Sequence, residues 1–228
     1  IGCQDCHDPE TLRLRITRPA LREAFAATGR DIDEATHQEM RSLVCSQCHA
    51  EYYFKTDESA GLKNYLVFPW AKGTTADEML AYYDGIDFAD YVHPISGTRI
   101  VKAQHPDYEL YRTGVHSFRD VACADCHMPY RTEGGVKFTD HHVQSPLLNI
   151  ANSCAVCHRW SEDDVRTRVE GMQTKVSDAM LQAEEALVHA HFDVAAAKQA
   201  GASDDDLKAA RSLIRGAQFR WDYVSATN

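Results

Sequence analysis

From Val165 onward, apolar residues recur at alternating steps of three and four: Val165, Val169, Met172, Val176, Met180, Ala183, Leu187, Ala190 and Val194. Such a series is one stripe of a 3.6-residue helix, and at ~1.5 Å per residue it predicts an arm of roughly 58 Å. Ser161 and Asp164 have the spacing of a capping box at its start. Gly201 stops the run, and Ser203 and Asp206 open another through Leu207, Ala210, Ile214, Ala217 and Trp221. Residues 161–228 are therefore predicted to be a helical hairpin. A stripe of that length outruns a compact domain, so the hairpin is expected to be a dimerisation seam rather than only an internal packing face.

Before Ser161 the helical period recurs in shorter pieces. Thr17 and Pro19 predict a capped helix that Gly29 closes. Asp31 and Asp33 precede a second run through Met40, Leu43 and Val44 into Cys45. Residues 55–97 mix Gly, Pro, Asp and Tyr, which predicts a loop-rich excursion with one short helix around Ala76 to Tyr83. The fold class expected is mainly α, with residues 1–160 as one domain and 161–228 as the hairpin.

Composition narrows the function. The 228 residues carry a net charge of −10 with no basic run, which argues against nucleic-acid or anionic-membrane partners. No apolar stretch approaches the ~18 residues of a transmembrane helix. The chain begins without Met, two residues before a cysteine, and reads as trimmed at its front.

The cysteines change the picture most. All eight fall into four pairs of one spacing, each followed by histidine: Cys3, Cys6 and His7; Cys45, Cys48 and His49; Cys123, Cys126 and His127; Cys154, Cys157 and His158. With 12 histidines in 228 residues, composition alone gives four such coincidences a chance on the order of 10⁻⁵. Cys-x-x-Cys-His is the attachment signature of c-type haem (heme c), whose two vinyl groups form thioethers while the histidine meets the iron. Zinc ribbons want ~15–20 residues between pairs; here the gaps hold 38, 74 and 27. Thioredoxin-like and strained disulfide readings do not call for the histidine. Four covalent haems are thus expected, attached outside the cytoplasm, which points to the periplasm. They would also supply apolar bulk where regular structure is sparse.

Eight further histidines remain. His116, seven residues before Cys123, and one of His141 and His142 in the loop after Phe138 are the best distal iron ligands. His189 and His191 lie mid-helix in the hairpin and read as helix-surface or packing residues rather than ligands, and His37 and His93 read as structural ones.

Four short runs carry a resemblance: Thr36 to Met40, Cys48-His-Ala-Glu-Tyr-Tyr-Phe54, Lys102-Ala-Gln-His-Pro106 and Ala124-Asp-Cys-His-Met-Pro129. Together they resemble the ammonia-forming cytochrome c nitrite reductases, a pentahaem family, over essentially the whole chain. The resemblance implies six-electron reduction of nitrite to ammonium. It implies that Tyr52 and His105 are the active-site tyrosine and histidine, and that Glu51, Tyr52, Lys102 and Gln104 bind calcium, with Tyr52 and Lys102 contributing carbonyls. It favours His141 over His142 through the Asp-His-x-Val-x-Ser-Pro pattern. Carboxylate, amide and carbonyl oxygens are hard donors suited to Ca²⁺, a cation there would favour an anionic substrate, and imidazole is a proton carrier near neutral pH. Expected partners are nitrite, a quinol-linked or small multihaem cytochrome donor, and a second copy of the chain.

The chain also departs from the family pattern. The family's active-site haem motif and arginine lie upstream of Cys3, and a further distal histidine lies beyond Asn228. The sequence is expected to be an internal segment, inactive by itself, with four of five haem motifs. A tetrahaem periplasmic electron carrier and a segment of an octahaem nitrite reductase are the competing readings.

Overall fold

The computed structural model describes residues 1–227; Asn228, the last residue of the predicted hairpin segment, lies outside them. Most helix ends follow from local chemistry. α1 (Cys3–Cys6) is a single turn inside the first haem motif. α2 (Pro19–Ala27) begins with proline at its first position, where no N–H is needed. Its cap is Arg18 rather than Thr17, because Thr17 is taken by another element: its N–H and hydroxyl both donate to Gln47 Oε1, at 2.7 and 3.2 Å. α3 (His37–Ser46) starts at a reciprocal capping box between Thr36 and Glu39.

The excursion predicted as loop holds an antiparallel hairpin, β1 (Tyr53–Asp57) and β2 (Leu62–Val67), with Tyr53 opposite Val67. Aromatic and β-branched residues suit those strands, but polar residues in the exposed middle of β1 hide the alternation. α4 (Ala76–Gly85) is the short helix expected there, capped by Thr75 and Glu78. A two-residue ladder, β3 (Tyr91–Val92) and β4 (Arg99–Ile100), leads to α5 (Asp107–Arg112). α6 (Cys123–His127) is the third motif itself, followed by the hairpin of β5 (Tyr130–Glu133) and β6 (Val136–Thr139).

The C-terminal hairpin is α7 (Glu162–Gln199) and α8 (Asp204–Ser225). Ser161 accepts the N–H of Asp164, and Ser203 pairs reciprocally with Asp206. Three acidic residues in each first turn complement the positive end of the helix dipole. Leu187 and Val194 of α7 pack on Leu207 and Ile214 of α8. The long stripe is divided, however. Val165 is buried at its start, whereas Met172 and Val176 in the middle are 52% and 50% exposed.

The main core joins α2, α3, α4 and the end of α8 through Leu21, Phe25, Leu43, Trp70, Met79, Tyr83 and Phe219. Arg220 and Arg215 of α8 bind Asp77 and Asp84 of α4, which fixes the hairpin's second arm against the same body. Among the described residues no helix is long and apolar enough to cross a membrane.

Candidate functional site

The four cysteine motifs follow one another in space in their sequence order. The Cys6 thiol is raised by burial and by the charge of its neighbours, Cys48 of the second motif among them. The thiols of Cys45 and Cys123 lie beside each other, so the second and third motifs abut, and each acts on the other, holding Cys45 up and Cys123 down. Cys126 is pushed up to about 11 by burial, and Cys154 and Cys157 of the fourth motif add to that.

The residues between the paired cysteines make the joints. Gln47 of the second motif donates its amide to the carbonyl of Asp5 in the first, at 3.1 Å. Asp125 of the third motif accepts from Gln38 and Arg41 of α3 at 2.7 and 2.8 Å. The Arg41 side chain is only 5% exposed and Asp125 27%, so the pair is partly buried, and Arg41 also donates to the Thr139 hydroxyl at 3.2 Å.

The motif histidines are oriented as metal ligands. His7 Nδ1 faces the Leu12 carbonyl at 2.8 Å, His127 Nδ1 the Gln144 carbonyl at 3.1 Å and His49 Nδ1 the Asp107 carboxylate at 2.7 Å. Acceptors at Nδ1 fix the tautomer in which Nε2 keeps its lone pair for a metal. The Asp107 carboxylate raises the basicity of His49, over the opposing effect of burial. His158 instead stacks on Trp160.

Two of these rings already face a second imidazole. His7 and His141 have ring centroids 6.0 Å apart, and His116 and His158 6.2 Å. One metal between two imidazoles needs about 6.2 Å, from two metal–nitrogen bonds of about 2.0 Å and about 1.1 Å from each nitrogen to its ring centre. The same neighbourhoods leave large apolar side chains bare. Leu12, Phe118, Leu148 and Val156 are 72–75% exposed, which fits surfaces that a porphyrin would cover. Thiols, imidazoles and apolar walls therefore suit c-type haem at all four motifs. His142, whose backbone N–H donates to Asp140, has no such ring opposite among the described residues.

Of the predicted calcium residues, Glu51 is fully buried and meets Gln104, while Lys102 lines the same cavity as Gln104. Glu51 Oε1 accepts from the Tyr83 hydroxyl at 2.8 Å, and its Oε2 from the Gln104 N–H at 2.6 Å. Burial pushes its carboxyl up to about 8, and the carboxylates of Glu109 and Asp90 act in the same direction. Each Glu51 oxygen keeps a second lone pair, so the donor set fits a hard cation that would offset this excess of negative charge. Among the described residues no cluster of three His, Cys, Asp or Glu forms a metal cage; the predicted set has a single carboxylate and otherwise carbonyl and amide oxygens.

Tyr52 and His105 lie side by side, ring centroids 6.2 Å apart. His105 also lines a cavity of about 400 Å³ with Lys102, Gln104 and, from the end of α8, Asp222 and Ser225. Tyr52 is not among that cavity's walls. Burial raises the Asp222 carboxyl.

One helical turn holds this arrangement to the second haem motif, and the sequence reading missed it. Asp107 binds the His49 ring, the Tyr108 N–H donates to the His49 carbonyl at 3.0 Å, and Glu109 accepts the Glu51 N–H at 2.9 Å. Glu109 is fully buried, takes a second bond from the Trp70 indole at 2.7 Å and is pushed up to about 7 by burial. The available signal was the pair of carboxylates two and four residues after His105.

The remaining histidines lie apart from the haem motifs. His93 and His191 stack on each other at 3.8 Å, and His191 Nδ1 meets the Ser96 hydroxyl at 2.8 Å, a packing contact between α7 and the body. His37 and His189 are exposed.

Comparison with known proteins agrees with this geometry. The family model for cytochrome c552 matches residues 1–228. Cytochrome c-552 of Bacteroides fragilis is 54% identical over the whole chain, which covers 45% of that relative, and its counterpart in Parabacteroides distasonis is 53% identical with the same coverage. The solved structure of the cytochrome c nitrite reductase from Desulfovibrio desulfuricans, whose catalytic subunit has two calcium sites, superposes with a TM-score of 0.92 at 39% identity. The alignment covers all of this chain and 51% of that one. The chain thus spans about half the length of the relatives it matches, and the resemblance read from its motifs is borne out.

Proposed function

The chain belongs to the cytochrome c552 family, and we propose that it serves the six-electron reduction of nitrite to ammonium within a multihaem c-type cytochrome. The observation that carries the reading is the joining of two chemistries by one turn. Glu51, Gln104 and the Tyr52–His105 pair form a polar wall, and α5 ties that wall to the second of four successive haem motifs. A plain tetrahaem carrier needs the motifs but not a buried carboxylate beside an exposed histidine.

In this reading, Cys3, Cys6 and His7 would hold one haem together with His141, and Cys154, Cys157 and His158 another together with His116. Cys45, Cys48 and His49 would hold a third, and Cys123, Cys126 and His127 a fourth. Bound haems supply one-electron reduction at iron, and four in succession supply a path for the electrons.

The protein's own groups do the rest. Reduction of nitrite to ammonium takes up six electrons and eight protons and releases two waters, so proton delivery is as demanding as electron delivery. His105 hands protons to the substrate oxygens, and the Tyr52 hydroxyl hydrogen-bonds them as they leave. Calcium on Glu51, the Tyr52 and Lys102 carbonyls and Gln104 would fix the wall that carries both residues and raise the local potential for an anion.

Residues 1–160 are the haem-bearing part. Residues 161–228 supply the dimer surface, since the middle of α7 exposes Met172 and Val176 with nothing packed against them among the described residues. The periplasm is the compartment that covalent haem attachment requires, with a quinol-linked or small multihaem cytochrome as donor.

In the intact, haem-loaded protein, His105→Ala should lower kcat/KM for nitrite by about 10²-fold, the scale of a lost proton donor, with haem content unchanged. Wild-type turnover in that variant, or a product other than ammonium in the unaltered protein, contradicts the proposal.

A further inference from the structure

The haem motifs differ in what stands behind the axial imidazole. His7 and His127 present Nδ1 to backbone carbonyls, at 2.8 and 3.1 Å. His49 presents Nδ1 to a carboxylate, Asp107, at 2.7 Å. We infer that Asp107 sets the reduction potential of the haem on Cys45, Cys48 and His49 below those of the haems on His7 and His127. The inference rests on the reading of the motifs as haem sites, and it assigns Asp107 a positioning and tuning role, not a catalytic one.

The effect is electrostatic. An acceptor at Nδ1 of a metal-bound histidine increases the electron donation of the ring, and a carboxylate does so more strongly than a neutral carbonyl. Added donation and a nearby full negative charge both favour the ferric over the ferrous state, which lowers the potential. The Asp107 side chain is only 18% exposed, so water screens the effect less than at the surface.

The carboxylate is also held in place. The Tyr108 N–H donates to the carbonyl of His49 itself at 3.0 Å, and the Asp107 N–H donates to the His105 carbonyl at 2.8 Å. The first bond ties the backbone of α5 to the backbone of the ligand, so the chain segment that carries Asp107 cannot draw back from the ring without breaking it. The second places the tuning carboxylate two residues from His105. The strongest reductant of these three haems would then sit against the wall that delivers protons.

The experiment is a redox titration of the intact haem-loaded protein, followed by optical and EPR spectroscopy, for wild type, Asp107→Asn and Asp107→Glu. Peptide mass spectrometry first reads whether Cys45 and Cys48 carry a haem; an unmodified peptide in the wild type defeats the haem reading itself, separately from the tuning. With haem present, Asp107→Asn should raise one component by about tenfold in its reduction equilibrium constant, 59 mV for one electron. The other components should hold, and Asp107→Glu should return the displaced one toward wild type. A fully haem-loaded Asp107→Asn protein with every component within twofold of wild type overturns the inference. Should both variants fail to mature, near-infrared magnetic circular dichroism of the unaltered ferric protein decides. One low-spin component displaced to higher energy by histidinate character supports the tuning, and coincident bands overturn it.

Discussion

Two regions of this molecule invert the usual partition of residues, in opposite senses. Behind the second haem motif, Glu51 and Glu109 are carboxylates with no exposed surface at all, next to Trp70 and Tyr83. In the middle of α7, Met172, Val176 and Leu181 leave half or more of their surface in water. Charged side chains are rarely buried without partners, and large apolar patches are rarely left bare. The buried carboxylates have hydrogen bonds, yet the neighbouring charges that act on Glu51 are those of Glu109 and Asp90, and Glu109 Oε2 has no partner among the described residues. The bare stripe has helical periodicity but no thiol or imidazole in it. One inversion therefore asks for a positive ion, the other for a second apolar surface.

The larger expected effect lies at the carboxylates. Without calcium, Glu51 is held up to about 8 against 4.5 for an ordinary glutamate, chiefly by burial. A raised carboxyl favours the folded state when protonated. Its contribution is complete below about pH 4.5 and is lost as the pH climbs through about 8. Chelation of the intact haem-loaded protein should therefore make its Tm fall between pH 5 and 8, calcium should flatten that slope, and Glu51→Gln should remove the Glu51 part of it. Nitrite turnover in Glu51→Ala should drop roughly 10–100-fold with the loss of metal. A calcium-independent Tm at pH 8 together with full turnover in Glu51→Ala breaks this side of the comparison.

The smaller effect belongs to α7. Met172→Glu and Val176→Glu place charges on an exposed face, where substitutions disturb the fold by only about 0.5 kcal/mol. The double variant should keep its haem content and its Tm but sediment as a monomer where the unaltered protein is a dimer. An unchanged sedimentation profile assigns the stripe to some surface other than a second copy.

The contrast also shows what a sequence of this kind discloses. Everything written in neighbouring residues was legible: four Cys-x-x-Cys-His motifs, Pro19 at a helix start, and Ser161 with Asp164 and Ser203 with Asp206 as helix caps. Contacts made across the chain were not. β1 and β2 were missed because the polar face of β1 hides the alternation that cross-strand pairing depends on. Thr17 looked like a cap until Gln47, thirty positions on, claimed its N–H and hydroxyl. Asp107 stands beside the Lys102–Pro106 run, yet its partner His49 is 58 positions away. The division of the α7 stripe follows from how far α8 reaches along it, which periodicity alone does not encode. The association of Glu51, Tyr52 and His105 came from family resemblance rather than from spacing.

On this account His141 and His116 complete two bis-histidine haems, while His105 delivers protons and does not bind iron. Bis-histidine haems are low-spin, and removing one imidazole opens a coordination site, so EPR of the intact ferric protein reads the assignment directly. His141→Ala and His116→Ala should each convert one haem from low spin to high spin, while His105→Ala leaves the low-spin population as it was and lowers nitrite turnover. A new high-spin signal in His105→Ala, with unchanged spectra and full turnover in the other two variants, would contradict it.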